Sequence, residues 1–108
     1  MNGSPRATSL ERLLAPYLEI EGVDAAMLVS TDGLLVSRAG AAGRDLDALA
    51  ARAAALVASA EDLTEELGSR IRLLALDNDG QAVIMAPLTA ELQLMIMGAG
   101  SILRLIRR

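Results

Sequence analysis

The segment from Asp45 to Gly68 limits the fold of this chain more than any other stretch. Its apolar residues Leu46, Leu49, Ala53, Leu56, Ala60, Leu63 and Leu67 recur at alternating spacings of 3 and 4. That is the seam of an amphipathic helix, not the alternation of a strand. Asp45 is placed to cap the first turn through its carboxylate, and Gly68 stands where a left-handed C-terminal cap would be. Between Ala48 and Ala58 the only charge is Arg52, and Ala48, Ala50, Ala51, Ala54, Ala55 and Ala58 spread over the faces outside the leucine seam. A helix apolar nearly all round is covered on more than one side. One side can lie on a sheet, and the side with small residues leaves room for a second helix. Alanine is also the best helix former and needs no partner for that. The charge-poor patch runs for about three turns, however, and favours the second helix.

The rest of the chain reads as elements around this helix. Residues 1–8 are expected to be a flexible arm, and 9–108 a single domain. Thr8-Ser9-Leu10-Glu11 has the form of a capping box. Leu10, Leu13, Leu14, Tyr17 and Leu18 follow at helical spacing, with Pro16 predicting a kink or an early end. Val23 to Ser30 is a strand apolar on both faces, hence central. Thr31-Asp32-Gly33 turns the chain into a returning strand over Leu34 to Ala39, and residues 40–44 form a flexible connection to the long helix. Beyond Gly68, Arg70 to Leu76 is read as a third strand and Asp77-Asn78-Asp79-Gly80 as a hairpin turn. Ala82 to Ala86 is a fourth strand ended by Pro87, and Leu92 to Met97 a fifth ended by Gly98-Ala99-Gly100. Ser101 to Arg108 is a short final helix, with Ser101 as cap and Arg104, Arg107 and Arg108 favourable to its dipole. The order α-β-β-α-β-β-β-α with short connections predicts an α+β sandwich around one five-stranded antiparallel sheet.

Composition removes most chemistry. The chain has no Cys, no His and no Lys. Common zinc and copper sites, a Ser-His-Asp relay, a thiolate nucleophile, a Schiff base and a Walker lysine are therefore not expected. No catalytic residue, metal ligand or cofactor is predicted. A net charge of −4 without a basic stripe argues against nucleic acid. No run of about 18 apolar residues predicts membrane insertion. The N-terminal stretch lacks the apolar core of a secretory signal, so a cytoplasmic location is expected. The all-arginine, alanine-rich usage suggests a bacterial source. Aromatics are 1%, so the core is built from Leu, Ile, Val, Met and Ala, and a domain this small gains from dimerisation.

Three fragments resemble ligand motifs and fail on spacing. Asp77-Asn78-Asp79-Gly80 has calcium-loop composition, but Ala75 occupies the first ligand position. Gly98-Ala99-Gly100 lacks the third glycine of a dinucleotide fingerprint, where Leu103 stands. Residues 40–44 lack the spacing and the lysine of a P-loop. The acidic cluster Glu61, Asp62, Glu65 and Glu66 lies at the C-terminal end of the long helix, where carboxylates oppose the dipole. It is either a solvated face or a recognition patch for a basic partner surface. Asp47, Glu61, Asp62 and Glu65 are the candidate partner-binding residues.

Taken together, Ile20-Glu21-Gly22-Val23-Asp24 running into an apolar strand, the Thr31-Asp32-Gly33 turn, the long helix from Asp45, the Leu76-to-Gly80 hairpin and the Val83-to-Leu88 strand before Leu92 resemble the Roadblock family. The resemblance covers roughly residues 9–108. It implies a three-layer sandwich and dimers, with itself or a paralogue, formed through the long helices and third strands. The implied interface residues are Ala48, Ala51, Arg52, Ala55, Ala58, Ser59, Arg70, Arg72 and Leu74. It also implies a non-catalytic protein that binds and regulates a small Ras-like GTPase without an arginine finger. A nucleotide-independent dimerisation scaffold is the alternative. A small-molecule sensor ranks last, since a core without aromatics offers little for ligand stacking.

Overall fold

A computed structural model describes residues 5–40 and 43–106. Helix α1 spans Pro5–Leu14. It starts at Pro5, so Thr8-Ser9-Leu10-Glu11 lies inside the helix and does not begin it. Proline suits a first helical position because its φ is preset and its missing N–H would be unpaired there anyway. Residues 1–4 of the expected arm lie outside the described residues. So do 41–42 of the connection and Arg107 and Arg108 of the last element. Pro16 acts as expected: the α-helix ends at Leu14 and the chain tightens into a 3-10 segment, Ala15–Glu19.

Five strands follow: β1 (Val23–Ser30), β2 (Leu35–Gly40), β3 (Leu74–Asn78), β4 (Gln81–Pro87) and β5 (Leu92–Ala99). They form one sheet in the order β2-β1-β5-β4-β3, and each pair is antiparallel. Helix α2 (Leu46–Glu66) carries the chain from edge strand β2 across to edge strand β3. β1 is interior, as its two apolar faces require. Its turn into β2 is tied by Gly33 N–H donating to the Ser30 carbonyl and Leu34 N–H to Ser30 Oγ. Leu28 faces Ser37 and Val29 faces Leu35, so Val36 is an extra residue that bulges edge strand β2.

The layers are α2, the sheet, and then α1 with its 3-10 segment beside a final 3-10 segment, Gly100–Ile106. This is a three-layer α+β sandwich. On the α2 side the sheet presents Met27, Val29, Met85, Met95 and Met97. On the other side Val23, Ala26, Leu28, Ala82, Ile84 and Ile96 meet Leu14 and Ile102.

Several boundaries differ from expectation. The sheet-facing stripe of α2 is Leu46, Ala50, Ala53, Ala54 and Val57, which shares only Leu46 and Ala53 with the expected seam. The methionines supply the volume, so beyond Leu46 the helix settles on small side chains, and Leu56, Leu63 and Leu67 turn away. β3 begins at Leu74, not Arg70. Its register pairs Leu74 with Met85 and Ala75 with Ile84, which would set Arg72 against Pro87. Proline has no N–H to extend that ladder. At its other end β3 runs on through Asp77 and Asn78, and Asn78 pairs with Gln81, so Asp79 and Gly80 alone make the turn. β5 continues through Gly98 to Ala99, and Ser101 lies within the final 3-10 segment and does not precede it.

Gly98 continues the strand because the chain crosses itself there. Ala99 N–H donates to the Gly22 carbonyl at 2.8 Å, and a Cβ on residue 98 would overlap that carbonyl. Gly68, at φ +73°, has nothing within 4 Å of such a Cβ. Gly98→Ala should therefore cost more than about 2 kcal/mol, by backbone overlap. Gly68→Ala should cost about 1–2 kcal/mol, by backbone conformation alone. Urea titrations of both variants check the order. Gln93 is buried with Oε1 lacking a partner among the described residues. Gln93→Met removes that orphan acceptor and should raise stability by about 1–2 kcal/mol in the same titration.

Candidate functional site

The sheet buries no residue of α2 beyond Val57. The following stretch to Glu66 extends the helix by roughly 14 Å, at about 1.5 Å per residue. At 3.6 residues per turn, Leu49, Leu56, Leu63 and Leu67 fall on one flank. Leu49 is half-buried, while Leu56 is 39% exposed, Leu63 63% and Leu67 72%. This flank faces edge strand β3. Leu49, Arg52, Ala53 and Leu56 line a groove of about 150 Å³ with Leu76, Val83, Met85 and Met95. Leu76 of β3 is itself 40% exposed. An apolar helix flank thus runs into an apolar strand whose outer edge is unpaired among the described residues.

The expected interface residues divide around this flank. Ala48, Ala51, Arg52, Ala55, Ala58 and Ser59 are all exposed. Arg52 and Ser59 sit on the β3 side, and Ala48 and Ala55 lie along the crest. Ala51 lies against the β1–β2 turn, where a Cβ on Gly33 would come within 3.2 Å of Ala51 Cα. Ala58, two turns later, shares that side. Arg70 and Arg72 are exposed on the segment leading into β3, and half-buried Leu74 opens the strand. The leucines 49, 56, 63 and 67 and Leu76 were not among the expected interface residues. Their signal was the alternating 3-and-4 spacing itself, which fits a helix–helix seam as well as a sheet contact.

The acidic end forms a second surface. Glu61 and Glu65 line an open cleft of about 600 Å³ with Thr64, Ser69, Arg70, Ile71 and the Pro87-to-Ala90 turn. Thr64 closes the helix end: its carbonyl accepts from Leu67 N–H at 3.0 Å and Ser69 N–H at 2.9 Å. Gly68, in the left-handed region, sends its N–H to the Glu65 carbonyl at 3.0 Å. The opposite wall is held by the Thr89 hydroxyl, which accepts from the N–H groups of Glu91 and Leu92. Asp62 is exposed on the crest. Asp47 stands in the first turn, roughly 27 Å from Glu65 along the axis at about 1.5 Å per residue, so one copy does not bring it to the other acids. At the start of α2, Asp45 Oδ1 accepts from Ala48 N–H at 3.1 Å, as expected of a cap.

These groups can pair with ions and bury apolar area. Among the described residues there is no cluster of three or more metal-ligating side chains, and no helix is long and apolar enough to cross a membrane. No curated protein sequence matches the chain. Among solved structures, an MglB with a tetrameric arrangement superposes with a TM-score of 0.84 at 17% identity, covering 94% of this chain and 78% of that one. MglB from Myxococcus xanthus gives 0.82 at 17% identity, covering 94% and 77%. A Roadblock/LC7 domain from Streptomyces avermitilis gives 0.77 at 19% identity, covering 83% and 78%. The Roadblock/LC7 domain family matches residues 9–97, and the chain belongs to that family.

Proposed function

We propose that this protein is a non-catalytic, dimeric interaction module that binds and regulates a small Ras-like GTPase. The observation that carries the dimer is the uncovered leucine flank of α2, continuous with the free edge of β3. A second copy laid antiparallel against it buries Leu56, Leu63 and Leu67 of both helices and lets the β3 edges meet. Burying a fully exposed leucine contributes about 1.5–3 kcal/mol, and Leu56, Leu63 and Leu67, already partly covered, each supply a part of that. Glu61 and Glu65 of each copy, with exposed Asp62 beside them, present an acidic surface that complements a basic partner; Asp47, the remaining acidic candidate, stands in the first turn of α2 on the flank away from the leucines, apart from that surface. The GTPase follows from the family resemblance.

Two experiments test the two halves. Leu63→Glu changes a side chain with little intrachain cover, so it should leave the fold intact by circular dichroism. It should also convert the dimer to monomer in light scattering at micromolar concentration; an undisturbed dimer would reject the paired flanks. For the partner, immobilised protein is offered cell lysate with a non-hydrolysable GTP analogue or with GDP. A Ras-like GTPase retained preferentially with the analogue is expected. Glu61→Arg with Glu65→Arg should weaken its capture on the order of tenfold without changing the dimer mass. The same partners in both nucleotide states, with no GTPase among them, would favour the scaffold.

A further inference from the structure

Arg52, Ser59 and Glu66 stand at steps of seven along α2, and all three are exposed. Seven residues make nearly two turns, so the three form one stripe, beside the stripe of Leu49, Leu56 and Leu63 at the same step. Read along the helix, the polar stripe is cation, small neutral residue, anion. Arg52 has Ala48, Leu49, Ala55 and Leu56 at the positions where an intrahelical partner would stand. Neither it nor Glu66 forms an ion pair among the described residues. Glu66 opposes the helix dipole at the C-terminal end and has Asp62 one turn behind it, so its setting within one copy is unfavourable.

We infer that Arg52 and Glu66 are a reciprocal charge pair between two copies, fixing the antiparallel register of α2 and selecting a second copy of this chain as partner. The inference rests on the helix pairing proposed above. A two-fold axis beside Ser59 sets Arg52 opposite Glu66 of the second copy and Glu66 opposite its Arg52. Ser59 then meets Ser59, where a small side chain lets the helices approach. The same axis brings Leu56 opposite Leu63 to within one residue. A parallel pairing sets Arg against Arg and Glu against Glu. The stripe is thus self-complementary under the symmetry of an isologous dimer, and a charge beside an apolar seam specifies register in this way.

Charge exchange followed by sedimentation equilibrium tests it. Arg52→Glu alone and Glu66→Arg alone should each weaken self-association by about tenfold or more. An equimolar mixture of the two should recover a dimer, because both cross-pairs are restored in the heterodimer. The double variant should self-associate like the original chain yet fail to exchange subunits with it in a fluorescence-transfer assay. If the original chain is dimeric but the single variants are unchanged, or the double variant does not recover, the charge register is wrong and the paired helices stand. If the original chain is monomeric throughout, the helix pairing fails and this inference with it.

Discussion

The contact between an alanine stripe and a bed of methionines holds the rest of the structure in place. Ala50, Ala53 and Ala54 of α2 lie over Met27, Met85, Met95 and Met97 of the sheet. Small side chains on the helix allow close approach, and unbranched, pliable ones on the sheet fill what remains. A chain with one aromatic residue cannot wedge its layers apart with rings, so it reaches packing density by bringing the layers together. Gly33 serves the same end, because its turn touches the backbone of Ala51. Leu56, Leu63 and Leu67 are then displaced to the flank, where this chain alone leaves them exposed.

Much of this architecture was legible in the sequence because local and global signals agreed. β1 has apolar residues on both faces and lies between β2 and β5. Asp45, Gly33, Gly68, Pro16 and Pro87 act as their backbone chemistry dictates. The readings that missed needed a partner's identity. Spacing alone places Leu56 and Leu63 on a seam but cannot say whether the seam meets a sheet or a helix; the volume of the facing methionines decides. Residues 70–73 alternate like a strand, yet the ladder stops because Pro87 would stand opposite Arg72. Gly98 reads as a break until the Gly22 carbonyl is known to cross it.

The candidate site divides the same way. That α2 keeps apolar surface away from the sheet was visible from its lack of charge. The side in question was not, because alanine satisfies both a crest in water and a close helix contact. Ala51 and Ala58 share the expected chemistry with Ala48 and Ala55 but lie toward the β1–β2 turn. Only the sheet, by fixing the rotation of the helix, separates these positions. The acids are split in like fashion: Glu61 and Glu65 turn toward a cleft, Asp62 toward the crest, and Asp47 lies at the far end of the helix.

One helix therefore carries three separate surfaces, set by phase and by position along its length. The first binds the sheet through Leu46, alanine and valine, the second offers leucine beside an edge strand, and the third holds carboxylates around a cleft. Because the phases are set by one rigid rod, a change on one surface need not disturb the others. Overlength supports the arrangement: past Val57 the helix no longer serves the core, so its residues are free to answer to partners. A helix that stopped at Val57 would keep every buried side chain of α2 and lose Leu63, Leu67 and the acidic end together. The last turns of α2 thus add exposed surface and no buried core residue.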